Sequence, residues 1–346
     1  MFSTRRIDMH MQHVTHKPTV SVLMSVYNDE RFVAEAIQSV LGQTGPDFEF
    51  IIVDDAGVDG SSAILRSYRD ERITLISHSA NKGLAASLNH GLQYCRGEYI
   101  ARQDGDDVSE PLRIQSQVAY LQQHPEIAYV GTGVTIIDED GIKVRTCLFP
   151  EDPDEIRASF SRLRNPLPHG SLMFRREAIE SVEGYDEGFR TAEDHDLHLR
   201  LLEHFSAASI RKPLIRLRMR KSSMQFADRS SEGLKGVLFA HARQLARRKY
   251  GTLPGDKEAS LRSAVAEWFQ CTSLARCWNA ALSRRMAVGS IRAGRLWEGS
   301  IKLLRAIAED PKWLPEYIAC GERMILTAKR RRELESIIDG LLKLPG

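Results

Sequence analysis

Gly97-Glu98-Tyr99-Ile100-Ala101-Arg102-Gln103-Asp104-Gly105-Asp106-Asp107 is the stretch on which the fold turns. An apolar, β-prone run, Tyr99 to Ala101, stops at three carboxylates spaced Asp-x-Asp-Asp. A strand that ends this way holds its acids at a sheet edge, where their mutual repulsion favours a neutralising cation. Hard carboxylate oxygens suit Mg²⁺ or Mn²⁺ rather than zinc. The same residues also read as a solvated acidic turn. What decides between the two readings is whether other polar groups converge on the same edge.

Working outward, Thr19 to Val26 is apolar and β-rich, a buried strand that ends at Tyr27-Asn28-Asp29-Glu30. Phe32, Ala36, Ile37, Val40 and Leu41 then mark one side of a helix that Gly42 and Gly45-Pro46 terminate. Phe48 to Val53 is a second strand, closed by Asp54-Asp55, with Asp59 as N-cap of a helix through Tyr68. Ile73 to Ile76 is a third strand, and Asn81-Lys82-Gly83 leads into a helix from Leu84 to Cys95. Four strand–helix alternations imply a mostly parallel, doubly wound sheet, in which ligands bind beyond the carboxyl ends of the strands. Three of those ends carry polar clusters, which favours the functional reading of the acids.

Other classes fail on spacing. Val108 stands where a calcium loop needs a third oxygen ligand. Gly131-Thr132-Gly133 lacks the third glycine of a dinucleotide fingerprint and does not follow the first strand. The five cysteines are scattered and odd in number, as in a reduced compartment without a disulfide framework. No apolar run reaches the roughly 18 residues of a membrane span. The polar start, Met1 to Pro18, has no apolar core of a signal peptide and reads as a loose tail.

Further along, Ser109 and Pro111 predict a helix start running to Gln123. Ile127 to Ile137 and Ile142 to Cys147 form a hairpin around Asp138-Glu139-Asp140-Gly141. Pro166 to Phe174 is a loop entering a buried strand that His169 opens, and Leu214 to Met219 reads as an edge strand. Between them, Thr191-Ala192-Glu193-Asp194-His195-Asp196-Leu197 opens an amphipathic helix; acids in a first turn ordinarily complement its dipole. From about Ser230 the pattern is helical only. Residues from Arg229 onward hold 22 Lys and Arg against 12 Asp and Glu, while the rest hold 26 against 34. That basic excess reads as a solvated helical face or as contact with an anionic surface. Gly294 to Pro311 has the spacing of one tetratricopeptide helix, too few units for a solenoid of its own. Lys329-Arg330-Arg331-Arg332 is a basic run that could meet an anionic membrane face or simply solvent.

The ordered set Val-Ser-Val-x-x-x-x-Tyr-Asn (residues 20–28), Val53-Asp54-Asp55, Asn81-x-Gly83 and Gly97-Glu98-Tyr99-Ile100 with its Asp-x-Asp-Asp resembles glycosyltransferase family 2. The resemblance covers about residues 19–225. It implies a GT-A-type, Rossmann-like sheet with helices on both faces over residues 19–228, preceded by the tail and followed by an all-α region over 229–346. It implies an inverting transfer of a sugar from a UDP- or dTDP-linked donor to a hydroxyl of a glycan or lipid-linked acceptor. The expected cofactor is Mn²⁺ or Mg²⁺ on Asp106, Asp104 and Asp107. Tyr27, Asn28, Glu30, Asp55, Asn81, Arg102 and Asp104 would contact the nucleotide sugar, and Asp194 would be the base. His169 would lie near the acceptor or serve packing, and Glu193 would support the base. The family's Tyr-Arg-x-His-x-x-Ser run is Leu217-Arg218-Met219-Arg220-Lys221-Ser222-Ser223 here, so Arg218, Arg220 and Lys221 would neutralise a diphosphate where a relative offers an imidazole. The enzyme would be cytoplasmic, with peripheral membrane contact through its basic tail and no nucleic acid among its partners. A non-catalytic nucleotide-binding scaffold that docks partners through its helical tail is the alternative, and a nucleotidyltransferase on a similar sheet a third reading.

Overall fold

The computed structural model describes residues 17–220, 231–271 and 328–342. The first strands are β1 (Val20–Val26), β2 (Phe48–Asp54), β3 (Ile73–Ser77) and β4 (Tyr99–Asp104), and the helices α1 (Val33–Leu41), α2 (Ser61–Ser67) and α3 (Leu84–Leu92) connect them. Side chains alternate across β1. Val20, Val22, Met24 and Val26 join the core under α1 and α4 (Arg113–Gln123), while Leu23 joins the core on the other face. Both faces are therefore covered, as parallel strands require.

Among the described residues the sheet has nine strands, ordered β3-β2-β1-β4-β8-β6-β9-β5 with β7 beside β6. The half from β3 to β4 is parallel throughout, as the strand–helix alternation implies. The other half is mixed: β8 (Met173–Arg175) runs antiparallel to both β4 and β6 (Ile127–Ile137), whereas β9 (Ser206–Arg218) runs parallel to β6. The short β5 (Val108–Ser109) and β7 (Lys143–Cys147) pair antiparallel at the margins.

Three local expectations are corrected. Ser109 caps no helix; it lies in β5, and α4 begins at Arg113 beyond the Pro111-Leu112 turn. His169 does not open a strand, because residues His169–Ser171 form a single 3₁₀ turn and β8 starts only at Met173. The strand expected over Leu214 to Met219 starts eight residues earlier, at Ser206, and is flanked by β6 and β5. Pro213 hid its continuity. The register shifts between Thr132 and Val134 accommodate that proline opposite Gly133.

Helix α5 (Pro153–Ser161) starts on Asp152, whose carboxylate accepts from the Asp154 and Glu155 amides at 2.7 and 3.0 Å. Helices α6 (Arg176–Ser181) and α7 (Glu193–His204) follow, then α8 (Ser231–Tyr250), α9 (Gly255–Cys271) and α10 (Ala328–Leu342). Leu234, Leu238, Phe239, Leu261, Val265, Phe269, Leu334 and Ile338 share one continuous core with Phe174, Phe189, Leu197 and Leu201. Among the described residues no helix is long and apolar enough to cross a membrane. The segment with tetratricopeptide-like spacing and the run Lys221-Ser222-Ser223 lie outside the described residues.

Candidate active site

Register brings the polar clusters together. Ser25 pairs with Asp104 across β1–β4 and Val26 with Asp54 across β1–β2, so Tyr27, Asp55 and the acidic turn leave the sheet at one edge. The acidic turn rests on a buried polar platform. Gln103 Nε2 donates to the carbonyls of Asp104 and Asp107 at 3.0 and 2.9 Å, closing the turn, and its Oε1 accepts from Ser109 and Arg113. Arg113, 1% exposed, places all its N–H groups on protein: Nε on Gln117, Nη1 on Gln103 and Ser109, Nη2 on the carbonyls of Arg102 and Leu172. Burial pushes this guanidinium down to about 10. Sequence reading passed over Gln103 and Arg113, because a polar residue inside a strand or on a helix reads as solvated unless the fold is known.

Arg102 was expected to reach phosphates. It is 1% exposed and lies beneath the turn, with Nη2 2.6 Å from Asp104 Oδ1, so it acts on the site by holding that carboxylate. Burial, and next the Asp104 charge, push the Asp106 carboxyl up to about 7. Asp107 is raised well above the usual carboxylate range by burial and by both neighbouring acids. Burial is the first cause in both cases and the neighbouring acids add to it, so these carboxyls favour a bound proton or a neighbouring cation.

Arg220 and Arg218 divide the work at the end of β9. Arg220 Nε lies 2.7 Å from Asp106 Oδ2, an ion pair without an aligned N–H, while Nη1 donates to Asp29 Oδ1 at 2.7 Å. Asp29 is a further site residue that the motif reading left unassigned; it borders the turn, since a Cβ on Gly105 would come within 2.5 Å of its Oδ2. The Arg218 guanidinium is 2% exposed and committed to Glu35, the Asp106 carbonyl and the hairpin carbonyls of Asp138 and Glu139, while its backbone N–H donates to Asp107 Oδ1. It fixes the turn from behind and offers nothing to a diphosphate. Arg220 is the cation at the front.

The acids suit a hard divalent cation by one geometric mark. A Cβ built on Gly170 would meet Asp104 Oδ2 at 2.6 Å and Asp107 Oδ2 at 2.9 Å, so two carboxylate oxygens converge on a small gap that only glycine leaves open. Among the described residues no three His, Cys, Asp or Glu side chains form a ready cage.

At the nucleotide side, Tyr27 is 45% exposed on the sheet edge. Asn28 adopts φ 57° and its Oδ1 accepts from the Val58 amide at 2.8 Å; the Glu30 carboxylate accepts from Gly60 at 3.0 Å. Both side chains brace the loop after β2. Asp59 completes that brace, accepting from the Glu30 and Ser61 amides at the start of α2. Asp55 is 1% exposed and accepts from the amides of Lys82 and Gly83 and from His78 Nδ1, so it anchors the loop in which Asn81 stands exposed. A cleft of about 640 Å³ opens nearby, lined by Asn28, Glu30, Phe32, Asp59 and Arg220.

The opposite wall comes from α7 and the 3₁₀ turn. Asp194 Oδ2 accepts from Asn165 Nδ2 at 2.9 Å and Oδ1 from the His195 amide at 2.7 Å. Burial raises its pKa, and the Asp104 charge adds to the rise, which ties Asp194 electrostatically to the acidic turn. Glu193, 6% exposed, is pushed up to about 8 by burial and then by Asp194. His169 Nε2 meets the Tyr185 hydroxyl at 2.7 Å, and burial followed by the Arg102 charge holds the imidazole well below its usual pKa, hence neutral. Asn165, which orients Asp194, had no sequence signal: a lone asparagine in a loop looks like a turn residue.

Fold and site together define an α/β transferase on a GT-A sheet. The family model for glycosyl transferase family 2 matches residues 21–182. EpsE of Bacillus subtilis (strain 168), itself a provisional glycosyltransferase assignment, is 42% identical over 207 residues, which cover 58% of this chain and 73% of that protein. The O-antigen biosynthesis glycosyltransferase WbnJ of Escherichia coli is 35% identical over 186 residues, covering 53% and 71%. Among solved structures, S. aureus TarS 1–349 in complex with UDP-GlcNAc superposes with a TM-score of 0.57 at 18% identity, over 82% of this chain and 90% of that one. The chain belongs to glycosyltransferase family 2.

Proposed function

We propose that the protein is an inverting glycosyltransferase that moves a sugar from a UDP- or dTDP-linked donor to a hydroxyl of a glycan or lipid-linked acceptor, in cell-surface polysaccharide synthesis. The observation that supports the reading is the company of two acid groups: the acidic turn at the end of β4, and Asp194, held by Asn165 and close enough to feel the Asp104 charge. The names of WbnJ and of the amylovoran biosynthesis glycosyltransferase AmsE of Erwinia amylovora, 32% identical over 186 residues, support the polysaccharide setting.

In this reading Asp194 takes the proton of the acceptor hydroxyl while that oxygen attacks the anomeric carbon. The bond from the anomeric carbon to the diphosphate oxygen breaks in the same displacement, and the configuration inverts. The departing diphosphate takes up the electron pair. Arg220, at the front of the turn, faces that charge; Arg102 and Gln103 keep Asp104 and the turn in place. Mn²⁺ or Mg²⁺, held by Asp104, Asp106 and Asp107, would neutralise the diphosphate as a Lewis acid. On the nucleotide, Tyr27 flanks the base and Asp55, with three donors already on its two oxygens, keeps one acceptor position for a base N–H. His169, Glu193 and Asn81 line the sugar and acceptor side. A cytoplasmic enzyme whose basic tail touches an anionic membrane face completes the proposal.

Release of UDP or dTDP from a panel of nucleotide sugars, with Mn²⁺, with Mg²⁺ and with chelator, tests the activity. Asp194→Asn should lose at least about 10²-fold in kcat while nucleotide affinity stays within a factor of two; full turnover in that variant removes the base assignment.

A further inference from the structure

Helix α7 begins in an unusual way. Ala192, at its N-cap, has left-handed backbone, φ 64°, and carries no oxygen with which to cap the first turn. A first turn that lacks its own cap needs another source of order. That source is α8. The helix approaches so closely at Gly236 that a Cβ there would stand 2.9 Å from the Thr191 carbonyl oxygen. His241 Nε2 meets His195 Nε2 at 3.0 Å, and both imidazoles are buried.

Arg243 is the centre of this contact. Its guanidinium is 2% exposed and pairs with three acids from three elements. Asp186 belongs to the loop that enters α7, Asp196 to the first turn of α7, and Glu258, at 2.6 Å, to α9. Asp196 is gripped from its other oxygen by Arg200 at 2.7 Å, and Arg200 in turn donates to the Val182 carbonyl. The face of the guanidinium lies 5.0 Å from the Phe189 ring, in the same entry loop. Burial opposes the charge of Arg243, but the three carboxylates overcome it and hold the group protonated. One buried cation thus fixes both the approach to α7 and the residue two positions after Asp194.

We propose that Arg243 is a positioning residue for catalysis: through Asp186 and Asp196 it sets the first turn of α7, and with it the aim of Asp194 at the acceptor. The proposal rests on the reading of Asp194 as the base. It makes α8 a working part of the active site. A simple packing role would lower the folded fraction without changing the folded enzyme. A positioning role changes kcat per folded molecule, because misplacement of a catalytic group by about 1 Å costs as much as 10²-fold.

The full chain is compared with Arg243→Met, Arg243→Lys, Asp196→Asn and, as control, Arg262→Met. Arg262 stacks on the same Phe189 and Phe239 rings, at 4.9 and 4.0 Å, without an ion pair to α7. Transfer kinetics, UDP and dTDP affinity, and hydrogen exchange at the amides of residues 194–197 are measured on the folded fraction. Arg243→Met and Asp196→Asn are expected to lose about 10- to 100-fold in kcat, with nucleotide affinity unchanged within twofold and faster exchange in the first turn. Arg243→Lys should recover part of the loss, since an ammonium serves fewer of the three acids. Arg262→Met should match the parent. Unchanged kcat in Arg243→Met, or an equal loss in Arg262→Met, overturns the proposal while leaving the transferase reading intact. If the parent transfers no sugar from any donor, that reading falls instead. Exchange alone then judges the clamp, and unaltered protection in Arg243→Met overturns it.

Discussion

Glu193 is a carboxyl group that the fold keeps protonated in the neutral range. Its pKa is pushed up to about 8 from an ordinary value of 4.5, first by burial and then by Asp194 beside it. The folded state therefore binds more protons than the unfolded chain between those two values, and stability must fall as pH rises through that window. The stabilisation is fully present below about pH 4.5 and is lost by about pH 8. Denaturant midpoints measured from pH 5 to 8 in chelator should fall with pH in the parent and fall less steeply in Glu193→Gln; equal slopes would show that Glu193 ionises freely. Asp106, pushed up to about 7, contributes with the same sign in both proteins, so the difference between the two slopes isolates Glu193. For activity the sign reverses. In its proposed role as base Asp194 works only when ionised, and its pKa is raised, so the acid limb of kcat should lie above the ordinary carboxylate range.

At the scale of elements, two glycines flank the same strand with different duties. Gly97, ahead of β4, leaves no room for a Cβ, which would stand 2.5 Å from the Ser21 amide nitrogen and 2.7 Å from the Val20 carbonyl carbon. Backbone cannot yield there, so Gly97→Ala should cost about 1–3 kcal/mol of stability, read by denaturant unfolding. Gly170 faces side-chain ends instead, Asp104 Oδ2 and Asp107 Oδ2, which can swing aside. Gly170→Ala should leave the unfolding midpoint close to the parent's while nucleotide affinity in Mn²⁺ falls by about tenfold, a shift of about 1.4 kcal/mol; the reverse pattern would detach the 3₁₀ turn from the site. The elements that carry these glycines were not equally legible. β1 to β4 announced themselves because each is an apolar run ending in polar residues, and their parallel register follows from the helices between them. The three residues of β8 show no period, and Pro213 masked the first half of β9. Helix α5 does carry a readable start, Asp152-Pro153, which the strand-centred reading passed over. The acids of the site were visible because carboxylates cluster in sequence. Asn165 and Arg243 were not, because their partners lie far along the chain, 29 positions to Asp194 and 57 to Asp186; Gln103 and Arg113 have near partners, but only the fold shows that those polar groups are buried together.

At the scale of the molecule, the composition shift near residue 230 suggested a separate helical domain, and the described packing gives that border its physical meaning. Phe239 stacks against Phe189 with ring centroids 5.4 Å apart, and Leu234, Leu238, Leu261, Val265 and Phe269 extend the same apolar core under α7. Six such side chains at roughly 1.5–3 kcal/mol each amount to on the order of 10 kcal/mol of burial. That is comparable with the whole stability of an ordinary domain, about 5–15 kcal/mol. Removal of everything after residue 230 should therefore not release a folded sheet domain. The exposed core face would bind a hydrophobic dye, lose near-ultraviolet circular dichroism and keep much of its far-ultraviolet signal. A cooperative unfolding transition in that fragment, with native-like nucleotide binding, would show that the helices are an attachment and not half of the core. The same experiment bears on α7: its buried face is covered by α8, so a fragment that folds without α8 must find another way to hold Asp194.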